Sequence, residues 1–409
     1  MARRTPVLSL ALACLLPFAT GAANAAETPA PSAAVPGAPP APPSPPTKAE
    51  VEALIAKAQD YLLSQQQADG SYVPAGARLG VGVTALATEG LLLAPALPAT
   101  DAHIVSAVAY LRAHKQPDGG IYTPDEGLAT YGTAVGLLAL QAAGATDPAL
   151  IKGAHDFLFS VQVADAESPS FGGLGYGTAK SAGRADLSNT DLAIVALRAT
   201  GLQADDEHAK HLVTFLEHCQ QLSAHNHLPW VDTSAKEAGG AVYNPDPRPR
   251  TPPATAANPN PAPIPASKPT AYASMTYALI SSYLEMGVPA EDERVAAGLN
   301  WIKANYSPYA NPGRAVGKEV DGLYYGYYIS SKAFQQLKIT TLLLADGKKT
   351  VDWRADLFGA LAFRAKSGEI APGKTGTWWI NETKTWGETN PVLVTAYVLQ
   401  VLKRIHATL

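Results

Sequence analysis

Six acidic residues lie close to the starts of long apolar segments: Asp125, Glu126, Asp186, Asp191, Asp321 and Glu388. Two carboxyl groups at a suitable separation can hydrolyse a glycosidic bond, one acting as acid and the other as base or nucleophile. An acidic residue at a helix start can instead cap the helix and interact with its dipole, which also suits Asp186 before "SNT". Both interpretations stay open, and Asp186 and Asp191 are the predicted catalytic residues.

Aromatic residues form a second group with chemical potential. Four tyrosines lie in "YYGYY" (324–328), three more in the segment 272–287, and tryptophans occupy positions 378, 379 and 386. Aromatic faces stabilise cations and also stack on sugars, whereas each such residue is equally suited to an ordinary core. The predicted ligand-binding residues are Tyr131, Asn189, Tyr272, Tyr324, Tyr325, Tyr328, Trp378 and Glu388.

Histidines concentrate between residues 208 and 227, around Cys219. His208, His211 and His218 have spacings that place them on one helix face, which fits either a metal site or a solvated outer face. Cys219 is the one cysteine outside the N-terminal apolar segment, so neither an intrachain disulfide nor a zinc site with several cysteines is expected. No metal and no cofactor is predicted.

These residues must be positioned by helices, and the helices repeat. A Gly-aromatic turn occurs as "QQADGSY" (66–72) and "QPDGGIY" (116–122), and in weaker form as "FGGLGY" (171–176), "AGGAVY" (238–243), "DGLYY" (321–325) and "GTWW" (376–379). An amphipathic helical pattern precedes the clearest copies, and a nearly all-apolar pattern follows them. The apolar segments are 81–94, 131–144, 191–201, 272–287 and 391–402.

A helix that is apolar on all sides is buried on all sides, and a repeat of this kind must stack on its neighbours. The pattern therefore predicts an all-α (α/α)6 toroid over residues 48–409, with six outer and six inner helices. A threonine recurs near the start of five inner helices, namely Thr84, Thr133, Thr190, Thr276 and Thr395. These threonines fit either close helix packing or a polar rim around a central cavity.

The N-terminal segments and the net charge bear on where the protein is located and what it binds. Residues 1–25 resemble a signal peptide cleaved near Ala25, and residues 26–47 form a Pro/Ala-rich spacer. A Pro-rich insertion at 244–270 predicts a surface loop. An exported protein is expected, and no stretch after the signal segment is long enough to span a bilayer. The net charge of −4 gives no reason to expect a nucleic-acid partner.

The turns "QQADGSY" and "QPDGGIY" resemble the QW repeats of the squalene–hopene cyclase and protein prenyltransferase β-subunit superfamily, with Tyr in place of Trp. The segment 321–402 is similar to the C-terminal half of exported bacterial squalene-cyclase-like repeat proteins, and the resemblance covers residues 48–409. It implies a toroid around an apolar cavity, in which better-known members hold isoprenoid chains. The expected partner is therefore an apolar or isoprenoid-like small molecule, or a protein.

Class II cyclases of this superfamily carry an Asp-x-Asp-Asp motif, whose middle Asp protonates an alkene. The matching segment "DLSNTDLAIVAL" has Asp186 in the first acidic position, but Ser188 and Asn189 in the other two. A serine hydroxyl cannot deliver that proton. The sequence therefore predicts a protein that binds a ligand or partner in its cavity. The alternative is a divergent enzyme that acts on an isoprenoid or a polysaccharide through another set of carboxylates.

Overall fold

The computed structural model describes residues 44–74, 78–124, 126–178, 184–249 and 266–409. All of these described residues belong to one compact unit. The predicted signal peptide, most of the spacer, Asp125 and the middle of the Pro-rich insertion lie outside the described residues. Within the described ranges, no helix is both long and apolar enough to cross a membrane.

The described residues contain twelve α-helices, which confirms the all-α class. They are α1 (Lys48–Gln65), α2 (Gly80–Leu92), α3 (Ala102–Ala113), α4 (Ala129–Ala142), α5 (Pro148–Val161), α6 (Leu187–Ala199), α7 (Glu207–Cys219), α8 (Ala273–Glu285), α9 (Glu293–Asn305), α10 (Leu323–Gln336), α11 (Trp353–Arg364) and α12 (Pro391–Ala407). Two short antiparallel hairpins accompany them: β1 (Thr341–Leu343) with β2 (Thr350–Asp352), and β3 (Lys366–Ala371) with β4 (Lys374–Trp378).

The helices fall into two classes that alternate along the chain. The even-numbered helices are buried on most of their residues, whereas α3 buries only the stripe Ile104, Ala107 and Leu111. Each even-numbered helix contacts the next, from α2 to α12, and α12 contacts α2. The odd-numbered helices pack against these six, so the core lies between the two classes, as the difference in hydrophobic pattern requires.

The glycine of the repeated turn docks each hairpin onto the next odd-numbered helix. In four copies the glycine has φ between 79° and 91°, a conformation that L-residues avoid. A Cβ on this glycine would lie only 1.9–2.4 Å from a carbonyl oxygen of α3, α5, α7 or α9. The four glycines are Gly70, Gly119, Gly172 and Gly239, and the facing oxygens belong to Ser106, Gly153, His211 and Ala297.

A glutamine joins the same two elements in three of these copies. The Nε2 of Gln162 donates to the carbonyl of Gly172 at 2.8 Å and to that of His208, in α7, at 3.1 Å. Gln66 and Gln220 make the equivalent pairs of bonds to their own turn and to α3 or α9. The recurring Gln and Gly therefore act together as a cross-link between successive hairpins.

The recurring threonines tie the same turns to the even-numbered helices. In all five cases the hydroxyl oxygen accepts a hydrogen bond, at 2.9–3.2 Å, from a backbone N–H of the preceding turn. All five threonines are fully buried, and none lines a cavity described below. The donors are Tyr72, Ile121, Leu174, Ala241 and Trp379. These threonines are structural anchors, and a polar rim is not their role.

Thr133→Val is expected to lower the free energy of unfolding by about 1–2 kcal/mol. Valine matches the shape of threonine but leaves the N–H of Ile121, which now bonds Thr133 Oγ1 at 2.9 Å, without an acceptor. Thr133→Ser keeps the hydroxyl and is the matched control. Urea unfolding measures both variants, and an equal loss in Ser and Val would mean that the methyl group matters instead of the hydroxyl.

The last two copies of the turn depart from the helical pattern. Gly322 is the N-cap of α10, and a Cβ there would lie 2.4 Å from the ring of Trp386. Gly376 lies in β4, paired with Gly368 of β3, because Gly373 (φ 74°) permits a tight turn between the two strands. A further difference is that α6 begins at Leu187, four residues before the predicted segment, because Asp186 caps it.

Candidate functional site

A cavity of about 410 Å³ lies where the starts of the even-numbered helices converge. Every one of these six helices contributes a wall residue at or next to its first turn. These residues are Leu79, Leu128, Ser188, Tyr272, Tyr325 and Leu393. The same buried packing that brings the six helices together thus places their N-terminal ends around one space.

The cavity wall is mainly aromatic and aliphatic. Its aromatic members are Tyr131, Tyr176, Tyr243, Tyr272, Tyr325, Trp386 and Tyr397. Its aliphatic members are Leu79, Leu128, Leu192, Met275 and Leu393. The remaining side chains on the wall are Arg78, Ser188, Ser274 and Glu388, so polar groups are few and each occupies a defined place.

Asp186 lies behind the wall as the N-cap of α6, only 3% exposed. Its Oδ1 accepts hydrogen bonds from Ser188 Oγ at 2.7 Å and from the backbone N–H of Asn189 at 2.9 Å. Its Oδ2 accepts from Asn189 Nδ2 at 2.8 Å. Burial raises the pKa of Asp186, and these donors oppose the rise.

Asp191 lies further along α6 and is fully buried. It accepts a hydrogen bond from Ser282 Oγ at 2.9 Å, and Lys332 Nζ lies 3.9 Å from its Oδ1. The same ammonium lies 3.7 Å from a carboxylate oxygen of Glu285. Burial raises the pKa of Asp191, and Lys332 opposes the rise. The two predicted catalytic carboxylates therefore have separate partners, and neither is a wall residue of the cavity.

Glu388 is the acidic side chain on the wall, and it is 1% exposed. Its Oε1 accepts from the backbone N–H of Tyr325 at 2.8 Å, and its Oε2 accepts from Asn381 Nδ2 at 2.6 Å. Burial raises the pKa of Glu388 to about 7, although these hydrogen bonds favour the ionised form. A carboxyl group with this pKa can both donate and accept a proton near neutral pH.

The predicted ligand-binding residues divide between the cavity and other places. Tyr131, Tyr272, Tyr325 and Glu388 line the cavity, whereas Asn189 lies behind it on Asp186.

Three predicted aromatic residues are not wall residues. Tyr324 packs edge-on against Tyr327, with ring centroids 5.6 Å apart. Tyr328 packs against Tyr397 at 5.2 Å, with the Arg404 guanidinium over its ring. Trp378 stacks on Tyr61 of α1 at 5.2 Å, because β4 places it beside that helix and away from the helix starts.

Sequence reasoning missed Tyr176 and Tyr243 as wall residues. Both belong to copies of the repeated Gly-aromatic turn. They lie four residues after the positive-φ glycine, whereas Tyr72 lies two residues after Gly70 and is buried in the core. This longer spacing from the glycine is the sequence feature that distinguishes these two tyrosines from the buried Tyr72. Trp386 belongs to the aromatic group selected from the sequence and is a wall residue, whereas Tyr397 carried no comparable signal.

The histidine-rich stretch holds outer helices together. His208 Nδ1 lies 2.6 Å from Gln162 Oε1, and its ring stacks on Phe159 at 3.9 Å. His218 Nδ1 bonds to the carbonyl of Pro169, and His225 Nε2 lies 2.7 Å from Glu293 Oε1. Among the residues that the structure describes, no three His, Cys, Asp or Glu side chains are grouped to hold a metal ion.

Comparison with known proteins identifies similar folds. No protein-family model and no curated protein matches this sequence. Among solved structures, the chain is similar to the type II terpene cyclase MstE from Scytonema in its apo form. The TM-score is 0.54 at 15% identity, and the match covers 89% of this chain and 100% of that one.

Two further structures of that Scytonema enzyme are single-residue variants with bound ligands. One holds the substrate geranylgeranyl dihydroxybenzoate (TM-score 0.51, 15% identity), and the other holds the product merosterolic acid A (TM-score 0.51, 16% identity). Each match covers 88% of this chain and 99% of the other. The predicted resemblance to the squalene-cyclase fold is thus confirmed, and at this identity the similarity concerns the fold alone.

Proposed function

We propose that this chain, which shares its fold with a type II terpene cyclase, binds an apolar, isoprenoid-like small molecule in the cavity at the helix starts. The observation that carries the proposal is the wall itself, in which aromatic and aliphatic side chains outnumber a few fixed polar groups. The volume of 410 Å³ falls in the range of roughly 300–1,000 Å³ that is typical of small-molecule sites. The Scytonema enzyme binds a geranylgeranyl compound, which supports the same ligand class here.

A closed (α/α)6 toroid is part of this proposal. It is supported by the cyclic order of contacts, in which α12 follows α10 and meets α2. It is also supported by α1, which packs against α12 at the point where the ends of the chain meet. In a closed ring the six helix starts form a single mouth, and a ligand enters between them.

Leu128→Trp is expected to weaken the binding of geranylgeraniol at least about tenfold. Leu128 precedes α4 and is half-buried on the cavity wall, so an indole at this position occupies ligand space without entering the core. Leu343→Trp makes the same change on an exposed site of β1 and is the matched control. Titration calorimetry measures both affinities, with circular dichroism to verify folding. Equal affinity in a folded Leu128→Trp variant would contradict the proposal.

A second candidate is a divergent enzyme, and Glu388 is the specific observation that favours it. Its carboxyl group lies on the wall of an aromatic cavity and, with a pKa of about 7, exchanges a proton near neutrality. Ser188 and Asn189 occupy two acidic positions of the cyclase motif, which argues against a proton donor of the cyclase type at the start of α6. The two candidates are separated by incubating the protein with geranylgeraniol and analysing the products. Cyclised or otherwise altered geranylgeraniol would make the protein an enzyme.

Export and domain organisation also remain part of the proposal. The supporting features are Arg3 and Arg4, the apolar run 7–19 and the small-residue pattern ending at Ala25. The Pro/Ala-rich residues 26–47 would then separate the helical domain from the cleavage site.

A further inference from the structure

Two loops with left-handed backbone meet at the edge of the cavity. Among the described residues, three that are not glycine have a positive φ, and two of them, Leu79 (73°) and Trp386 (53°), are wall residues of the cavity. Gly387 has φ of 77°, and a Cβ there would lie 2.9 Å from Leu79 Cδ1, so the two loops are in contact. Bulky residues rarely adopt this conformation, and such strain concentrates at ligand clamps and moving segments.

Trp386 lies near the tip of a short loop whose two ends are tied together. The backbone N–H of Asn381 donates to the carbonyl of Glu388 at 2.8 Å, and Asn381 Nδ2 donates to Glu388 Oε2 at 2.6 Å. Both residues are also bonded outside the loop, Glu388 to the first turn of α10 and Asn381 to the segment before that helix. We define residues 382–387, between these two fixed ends, as the flap.

The flap is held against the wall by packing. Within the part of the chain that the structure describes, its hydrogen bonds all stay inside the segment 381–390. The Trp386 ring centroid lies 4.9 Å from the guanidinium carbon of Arg314, and a Cβ on Gly322 would lie 2.4 Å from the same ring. Arg314 in turn lies over the ring of Tyr272, a wall residue before α8. The seat of the indole is therefore formed by Arg314 and Gly322.

The indole lies where the cavity meets the protein surface. Trp386 is a wall residue, yet 43% of its surface is exposed, and Glu382 and Lys384 of the flap are exposed as well. A bound apolar chain would be shielded from water by this ring, which buries apolar surface on both partners. The ring thus has the position and the chemistry of a cover for an apolar ligand.

We propose that the flap opens to admit the ligand and closes over it, with the Trp386 indole as the surface that covers the bound chain. The inference concerns access to the same cavity and rests on the proposed function. The left-handed backbone at Trp386 makes the closed position easy to leave, and burial of ligand surface against the indole stabilises it when a ligand is bound. Opening then limits both the entry and the release of the ligand.

Trp386→Ala is expected to raise the rate constants for binding and for release of tritiated geranylgeraniol each at least about tenfold, because neither step then waits for the flap. The dissociation constant, which is the ratio of the two, should change much less than either. Rapid filtration measures binding, and dilution into unlabelled geranylgeraniol measures release. Phe363→Ala is the matched control, at an exposed aromatic residue of α11 outside the cavity wall, and should keep both wild-type rate constants.

Gly322→Ala tests the seat while keeping the indole. The added Cβ displaces the ring, so both rate constants are expected to rise at least about threefold. Gly287→Ala is the matched control, because Gly287 also has a positive φ, of 82°, but nothing lies within 4 Å of a Cβ there. It carries the backbone penalty alone and should keep the wild-type rate constants. Circular dichroism verifies the fold of each variant.

The outcomes separate the flap from the binding site itself. Faster release with an unchanged binding rate in Trp386→Ala would make the indole a fixed part of the wall, which overturns the inference and leaves the proposed function standing. Wild-type rate constants in a folded Trp386→Ala variant would overturn it as well. If the wild type binds no geranylgeraniol, the proposed function itself fails.

Discussion

Gly172→Ala is expected to lower the free energy of unfolding by about 3–4 kcal/mol, the sum of a left-handed backbone penalty and a severe close contact. Gly172 has φ of 79°, and a Cβ would lie 1.9 Å from the carbonyl oxygen of His211 in α7. The turn must therefore move away from α7, and the bonds of Gln162 to Gly172 and His208 must lengthen with it.

Gly144→Ala is the matched control for this substitution. Gly144 also has a positive φ, of 63°, but nothing lies within 4 Å of the position that a Cβ would take. The backbone penalty alone predicts a loss of about 1 kcal/mol. Urea unfolding monitored by circular dichroism gives both values. Similar losses in the two variants would mean that the turn does not depend on its close approach to the next helix.

Glu388→Gln is expected to remove a pH dependence of stability worth about 3 kcal/mol between pH 4.5 and 7. Burial raises the pKa of Glu388 from 4.5 to about 7 in the folded protein. Below pH 4.5 the carboxyl group is protonated in both states and costs nothing. Between pH 4.5 and 7 the carboxyl group is ionised in the unfolded chain but still protonated in the folded protein, so the free energy of unfolding falls as pH rises. Above pH 7 the folded protein bears the whole cost of the buried charge.

The measurement is the difference in unfolding free energy between variant and wild type, taken at several pH values. Gln loses one of the two contacts of Glu388, to Tyr325 or to Asn381, which adds a cost that is the same at every pH. The difference should therefore shift in favour of the variant as pH rises from 4.5 to 7. Glu291→Gln, at an exposed carboxylate in the loop before α9, should follow the wild type throughout. A flat difference for Glu388→Gln would contradict the prediction.

Glu388 on the cavity wall and Asp186 behind it differ in the groups that surround them. Asp186 accepts hydrogen bonds from the Ser188 hydroxyl and the Asn189 amide, so it caps α6 and fixes the orientation of both side chains. Glu388 has fewer donors and is buried against the start of α10, which leaves it able to exchange a proton.

The sequence by itself determined the helical class and the alternation of half-buried with fully buried helices, because burial follows the spacing of apolar residues along the chain. It also located the repeated turns, since a positive-φ position leaves glycine as a visible mark. Tyr131, Tyr272, Tyr325 and Glu388 could be selected because they lie near helix starts, and helix starts share one end of the fold.

Only the tertiary structure decided which polar groups meet. Asp186 receives its donors from the helix start that it caps, as the local sequence allows, whereas Asp191, five residues further on, meets a lysine of α10 that only packing brings there. The threonines recur as a pattern, but the backbone N–H that each one accepts depends on how the preceding turn folds back onto the helix. Hydrogen bonds and burial depend on distances between segments remote in sequence, and periodicity along one segment carries no information about them.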